Sequence, residues 1–346
     1  MAVIALIVGI FGGLMRLGVP TPTVFSSQAG NHGTFMLSAF FGTVICLERA
    51  VALNKPWVYL APLLSGLGGL AMLVGVPIEW SSVLFTCSGL ILSIASFKIY
   101  LQQRVLYTFT LFVGALSWMV GNALWALSND HLVAVPYGIG FLVLTIAGER
   151  LELTRFLPPN PKADRIFAFF IGVSLIGIVF SGLLAKTGSV CTGVGLTGLA
   201  LWLINFDIAR TTIWKSGLTR FVATCLLLGY GWLFVGGLLV MNKALDPGAL
   251  LRDAALHAIL LGFVMSMVIG HAPIIFPAIM RVRIPYSPIF YLPLLTLHIS
   301  IFLRITGGFL DDWALRRLGA EGNAIAILLF VAVLLYQVLD GYRKSR

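Results

Sequence analysis

The sequence predicts an all-α fold, a polytopic membrane helix bundle of about twelve transmembrane helices, and three observations carry that reading. Apolar residues fill 59% of the 346 positions while charged residues fill only 10%. The mean hydropathy is +0.99. Apolar runs of membrane-spanning length recur along the chain, with proline and polar clusters between them. A soluble domain carries about 25% charged residues, so no fold in water would hide this much apolar surface. The bilayer is the solvent. A spanning helix needs about 20 apolar residues, and twelve spans of about 22 use roughly 264 positions and leave some 80 for short loops. The expectation is therefore a single integral membrane domain over 1–346, without a soluble domain.

The spans follow from the runs and their breakers. They fall approximately at 1–18, 33–53, 57–76, 81–101, 105–127, 132–148, 165–186, 189–207, 219–241, 253–276, 287–307 and 323–341. The first run lacks a basic leader region and an A-x-A site, so it reads as a span rather than a cleaved signal. PTPT closes it, PIEW follows the third run, PPNPKADR the sixth and ALDPG the ninth. Glycine is abundant, with 37 residues in groups such as Gly9, Gly12 and Gly13, or Gly193, Gly195 and Gly198. Small residues let helices approach closely in lipid. No GxGxxG lies between a strand and a helix, so a nucleotide site has no support.

Basic residues set the orientation. Sixteen lie after even-numbered spans or at the C-terminus, among them Arg49, Lys55, Arg150, Arg155, Arg281, Arg283 and Arg346. Seven lie on the other side: Arg16, Lys186, Lys243, Arg252, Arg304, Arg316 and Arg317. This bias places both termini in the cytoplasm of a bacterial or archaeal-type inner or plasma membrane. It also accounts for the net charge of +10, which signals loop asymmetry and not affinity for nucleic acid. The lipid bilayer is the expected partner. Cys46, Cys87, Cys191 and Cys225 are irregularly spaced in apolar runs, form no CxxC, and read as small buried residues.

Ionisable residues within spans are costly and mark candidate sites. His32, His131 and His257 open the second, sixth and tenth spans. His32 is followed by Glu48-Arg49 at the far end of its span, and His131 by Glu149-Arg150 at the far end of its own. Spans two, six and ten stand four helices apart, as in a weak internal repeat of three four-helix arcs. His271 follows His257 by 14 residues. At about 100° per residue the two share a face, and at 1.5 Å per residue they lie about 21 Å apart. His298, near the middle of span eleven, would face one or other of them. Each histidine also has a plain structural reading, as a hydrogen-bonding group between helices or, for His131 beside Asp130, as a solvated or capping residue.

Haem suits this set better than zinc or copper. It needs one or two axial ligands, an apolar slot and partners for its propionates, whereas separated histidines do not build a three-histidine metal centre. The cofactor- and metal-binding candidates are His32, His257, His271 and His298, with Arg16, Arg252 and Arg304 at outer span ends for the propionates. Those arginines read equally well as interfacial side chains. Glu48-Arg49 and Glu149-Arg150 with Glu152 and Arg155 read as interhelix ion pairs. Asn122 with Trp118 and Trp125 reads as core packing.

The stretches NHGTFMLSAFFGTVICLERAVALNKPW, AGERLELTRFLP and LHAILLGFVMSMVIGHAPIIFPAIM resemble the NnrS family, and the span pattern is similar along most of the chain. That resemblance implies a twelve-span haem- and copper-binding membrane protein linked to nitric oxide, with His257 and His271 matching the family's histidine region. The chain departs from the family in having His32 alone near the second span and no Gly-His-Thr-Gly-Arg after the tenth, which argues against copper. HGTFM at His32–Met36 is also distantly similar to the second helix of the haem–copper oxidase main subunit, whose tenth helix supplies the other ligand of a low-spin haem, as His257 would. The paired histidines of span seven, the H-x-x-x-Y of span six and a second histidine beside His257 are missing, which excludes a binuclear oxygen- or nitric-oxide-reducing centre.

The expectation is a haem b protein that transfers electrons to or from a partner, or handles or senses a small gas ligand such as nitric oxide, with a bis-histidine haem on His32 and His257. The alternative is a cofactor-free transporter or channel for a small solute. Catalytic residues, enzyme status and oligomeric state are not readable from the sequence.

Overall fold

The computed structural model describes residues 1–22, 28–182, 184–246 and 248–344, with the Ala185 side chain also outside the description. Thr23 of the first breaker, Pro247 of the ALDPG breaker and Arg346 of the basic C-terminus lie outside the described residues. Among the described residues every regular element is helical.

Twelve main helices follow the expected order: α1 (Ala2–Met15), α2 (Gln28–Leu53), α3 (Pro56–Leu73), α4 (Ile78–Gln102), α5 (Leu106–Ser128), α6 (His131–Phe156), α7 (Pro161–Phe180), α8 (Lys186–Phe206), α9 (Gly217–Met241), α10 (Arg252–Met280), α11 (Pro288–Phe309) and α12 (Trp313–Lys344). All but α1 have the length and apolarity to cross a bilayer, and α1 is a shorter apolar helix. The protein is an all-α polytopic membrane helix bundle.

Helix α11 shows why its solvent is lipid. Leu292, Leu295, Ile299 and Phe302 form an exposed stripe at helical spacing, while Leu294, Leu297, Ile301 and Ile305 on the other side are buried. A helix facing water would carry polar residues on the exposed stripe. Here both faces are apolar, and the polar residues Ser300 and Arg304 are among the buried ones. Cys87 corrects the expectation that all four cysteines are buried. It is exposed on α4, whereas Cys46 and Cys225 are buried and Cys191 is intermediate.

The two largest boundary differences from the sequence reading are in α12 and α6. Helix α12 begins at Trp313 rather than 323. Its first turns are polar, but Arg317 and Glu321 pair at i,i+4 across 3.0 Å, which supports an amphipathic helical start. Helix α6 continues past 148 to Phe156, because the charge on Arg150 is neutralised by a buried partner rather than left to water.

The chain divides into two compact units, Met1–Glu149 and Arg150–Arg346. In each, one span carries a π-helical stretch among the described residues. In α2 an eight-residue π-helical stretch, Phe35–Gly42, begins three residues after His32. In α10 the stretch Ala258–Met265, also eight residues, begins immediately after His257. A π-turn holds i→i+5 bonds and so takes about one more residue than an α-turn. The 3.6-residue spacing that put His257 and His271 on one face therefore does not apply between them, and the two acquire different neighbours. Helix α6 has no such stretch. The likeness among spans two, six and ten thus extends to backbone geometry only in the second and tenth.

Candidate functional site

In the first unit, His32 sits on the first turns of α2 and its Nδ1 bonds the carbonyl of Gly9 on α1. A carbonyl only accepts, so Nδ1 carries the proton and the lone pair lies on Nε2. The ring rests against α1 at Gly13, where a Cβ would lie 2.8 Å from its Cε1 atom. Only glycine leaves room for the ring there. The π-helical stretch that follows is held by neutral groups. The Ser38 hydroxyl donates to Asn122 Oδ1 at 3.3 Å and accepts from Trp118 Nε1 at 3.1 Å. Carbonyls of this stretch are taken up by hydroxyls: Thr43 donates to Ala39 at 2.7 Å and Ser65 to Ser38 at 2.8 Å. Asn122, Trp118 and their neighbours are core packing, as expected, with a hydrogen-bonded centre.

In the second unit, His257 Nδ1 lies 2.8 Å from the Asp253 carbonyl and 3.2 Å from the Asp253 Oδ1 atom. Both are acceptors, so this ring too is protonated at Nδ1. Asp253 is gripped from the other side by Arg304 of α11, whose Nε donates to Oδ2 at 2.8 Å and whose Nη2 donates to Oδ1 at 2.7 Å. The third arginine nitrogen, Nη1, reaches Asn323 Oδ1 on α12 at 3.3 Å. Asn323 in turn donates to the Ser300 hydroxyl at 2.7 Å, and Ser300 to the Leu297 carbonyl at 2.9 Å. The side chains of Arg304 and Asp253 are 8% and 23% exposed. Gly319 and Gly322 of α12 allow the close approach, since a Cβ at either would meet Arg304 or Ser300 within 2.7 Å.

Deeper along α10, His298 of α11 accepts from Trp232 Nε1 of α9 at 2.7 Å. Indole N–H only donates, which fixes the proton on Nε2 of a neutral His298. That nitrogen faces Ser266 Oγ at 3.4 Å, and the serine's own proton goes to the Gly262 carbonyl at 2.7 Å. Both ring nitrogens of His298 are thus engaged, and its neighbours are Trp232 and Ser266 rather than His257 or His271. His271 Nδ1 bonds the Met267 carbonyl at 2.8 Å, giving the same tautomer as His32 and His257.

The arginines separate in the same way. Arg304 is committed to Asp253 and Asn323. Arg252 donates from Nη1 to the Leu245 carbonyl at 2.7 Å. Arg16 lies exposed just beyond α1. Of the expected interhelix ion pairs at the other span ends, Arg49–Glu149 joins two helices, whereas Arg155 pairs within α6. Arg49 meets Glu149 at 3.5 Å between α2 and α6, and Arg155 meets Glu152 at 3.2 Å. Arg150 forms a buried two-pronged pair with Asp207, at 2.8 and 2.9 Å, with side chains 5% and 0% exposed. Asp207 also accepts from the Ala209 N–H at 2.6 Å. The buried Tyr230 hydroxyl has no hydrogen-bond partner among the described residues but lies within electrostatic reach of this pair.

The family model described as Domain of unknown function (DUF8744) matches residues 1–339. The chain belongs to the DUF8744 family. A search of curated proteins gave no match.

Of the expected site residues, this DUF8744 chain groups His257 with Arg304 through Asp253, and keeps His298 and His271 with other neighbours. His32 belongs to the first unit and His257 to the second. No cluster of three or more His, Cys, Asp or Glu placed to hold a metal ion occurs among the described residues. Sequence reasoning missed Asp253, Asn323, Trp232, Asp207 and Tyr230. Asp253 had a legible signal, since an acid four residues before a histidine faces it on a helix. Asp207 stands 57 residues from Arg150, and nothing local announces such a pairing.

Proposed function

We propose that this protein is a haem b-binding integral membrane protein that carries electrons or handles a small gas such as nitric oxide. The observation that carries the reading is shared by α2 and α10: each has in its first turns a histidine whose Nδ1 is fixed by a protein acceptor, within three residues of a π-helical stretch. Metal-ligating histidines commonly donate their other N–H to a carbonyl or carboxylate, which sets the tautomer and aims Nε2. π-helical segments in α-helices are frequently functional.

Within its own unit, each of His32 and His257 has the Nδ1 acceptor that suits an axial ligand, and His271 is a third residue of the same tautomer. His298 does not suit that role, because Trp232 occupies Nδ1 and the proton sits on Nε2. Nor does Arg304 suit a propionate, because both prongs of its fork already hold Asp253. Arg16 and Arg252 are the arginines we assign to that role. A bound haem supplies one-electron chemistry and an iron centre tuned by its axial ligands and their hydrogen bonds. The chain's own part is to hold each imidazole by Nδ1, to present Nε2, and to keep water away with packed apolar spans.

A visible spectrum of the purified protein in nanodiscs tests the reading. We expect a Soret band at stoichiometric haem that His32→Ala or His257→Ala abolishes or shifts, while the protein still inserts. Gly13→Ala, which crowds the His32 ring without removing it, should alter the spectrum less than His32→Ala does. A colourless, folded wild type would favour the second reading, a cofactor-free transporter or channel. That reading draws on the buried Arg150–Asp207 pair with the buried Tyr230 hydroxyl beside it, because buried charge in a membrane often marks a solute or proton path. The orientation is part of the proposal: a reporter fused after Arg346 should be active only on the cytoplasmic side.

A further inference from the structure

We infer that Asp253, locked by Arg304 and Asn323, is a positioning residue that sets the electron-donating strength of His257, and through it the reduction potential of the haem iron. The inference rests on the proposed haem reading.

The argument begins with the cost of the arrangement. A carboxylate and a guanidinium inside a membrane protein are expensive to bury, and a bare ion pair often only breaks even. Most of the second unit's packing needs neither. Yet three spans converge on this one carboxylate. Helix α10 contributes Asp253 and His257, α11 contributes Arg304 and Ser300, and α12 contributes Asn323. The side chains of this network are linked in series: Arg304 Nε and Nη2 to the two carboxylate oxygens, Nη1 to the Asn323 carbonyl oxygen, and the Asn323 amide to Ser300. A hydrogen-bonded network of this kind rigidifies its members.

The end of the network not explained by helix packing is its contact with His257. The Nδ1 proton of that ring lies between the Asp253 carbonyl at 2.8 Å and the Asp253 carboxylate at 3.2 Å. His271, whose Nδ1 bonds the Met267 carbonyl, shows that a backbone carbonyl is enough to orient a ring. His257 has such a carbonyl and a carboxylate as well. A carboxylate facing Nδ1–H draws the proton toward itself and makes the ring a stronger donor at Nε2. On iron, a stronger donor stabilises the oxidised state and lowers the potential. Arg304 moderates the effect by sharing the same oxygen, Oδ1, that faces the ring. Asp253 thus places an anion against His257, and Arg304 with Asn323 fixes how much of its charge the ring feels.

The experiment compares wild type, Asp253→Asn, Asp253→Glu and the double variant Asp253→Asn/Arg304→Gln in nanodiscs. It reads haem content, midpoint potential and the ¹⁵N shifts of His257 in the haem-free protein. The double variant removes both charges together and guards against misfolding from an unpaired Arg304. Asp253→Asn and the double variant should retain haem, raise the midpoint potential above wild type, and move the His257 Nδ1 resonance. Asp253→Glu, which keeps the charge, should return the potential toward wild type. Haem-loaded variants with the wild-type potential would overturn the inference and leave the haem reading standing. A wild type that takes up no haem would overturn both, and the ¹⁵N shifts would then report the Asp253–His257 contact alone. Where neutral variants fail to fold, Arg304→Lys, which keeps the positive charge but gives up the fork on Asp253, serves instead, and an unchanged potential with unchanged His257 ¹⁵N shifts would overturn the inference.

Discussion

Helices α2 and α10 are built on one plan and stabilised by opposite means. Each begins with a histidine protonated at Nδ1, and each then widens into eight residues of π-helix. Around α2 the polar partners are neutral: Ser38, Thr43, Ser65, Trp118 and Asn122 exchange hydrogen bonds with one another and with freed carbonyls. Around α10 they are charged, with Asp253 and Arg304 at its start. The same backbone irregularity therefore does not require charge to be accommodated. Hydroxyls suffice, as Ser266 also shows by capping the Gly262 carbonyl within the α10 stretch. The charged groups of α10 are thus not needed to hold its π-helical stretch, and Asp253 meets His257 instead.

Four substitutions would break or sharpen this contrast, each measured as thermal unfolding in nanodiscs. The largest effect is expected of Asp253→Ala, which strands the buried Arg304 guanidinium. Removing one partner of a buried pair costs about 3–5 kcal/mol. Ser38→Ala on α2 leaves the Trp118 N–H and the Asn122 carbonyl without their shared hydroxyl, at about 1–2 kcal/mol. Were Ser38→Ala as damaging as Asp253→Ala, the distinction between neutral and charged support would fall. Trp232→Phe removes one neutral hydrogen bond to His298, worth about 1 kcal/mol. It also frees His298 to change tautomer, which ¹⁵N shifts of that ring would register. Smallest is Arg49→Ala, at the part-exposed pair with Glu149. There the loss should stay below about 1 kcal/mol and shrink further in high salt.

The fold was legible because a membrane imposes it. Length and apolarity of each run place a span wherever lipid is the solvent, and all twelve expected runs are helices. Boundaries drifted where charge is neutralised in three dimensions, as at Arg150, or by helical neighbours, as at Arg317 and Glu321. Phase was lost where the helix itself changes. Nothing in AILLGFVM distinguishes a π-helical stretch from an α-helical one, so the relation between His257 and His271 could not be read by counting residues. The site was half legible. Histidines and arginines stand out in an apolar sequence, but their partners do not. Asn323 and Trp232 are ordinary residues until α12 and α9 bring them to Arg304 and His298.

Arg304 also constrains how the chain enters the membrane. Helix α11 carries its arginine 13 residues after Tyr291 and five before its end at Phe309, where a lone arginine costs less at insertion than the ~2.5–3.5 kcal/mol of a helix centre. The stripe of Leu292, Leu295, Ile299 and Phe302 offsets that cost, but the acceptor that removes it, Asp253, lies on the preceding span. Asn323, the second acceptor, lies on the following one. During synthesis α10 is therefore available before α11 emerges, and a carboxylate already waits for the arginine. Helices α10 and α11 are expected to enter as a hairpin, with α12 closing on Asn323 afterwards. Truncating synthesis after α11 should leave a chain that inserts in the presence of Asp253 and inserts poorly without it.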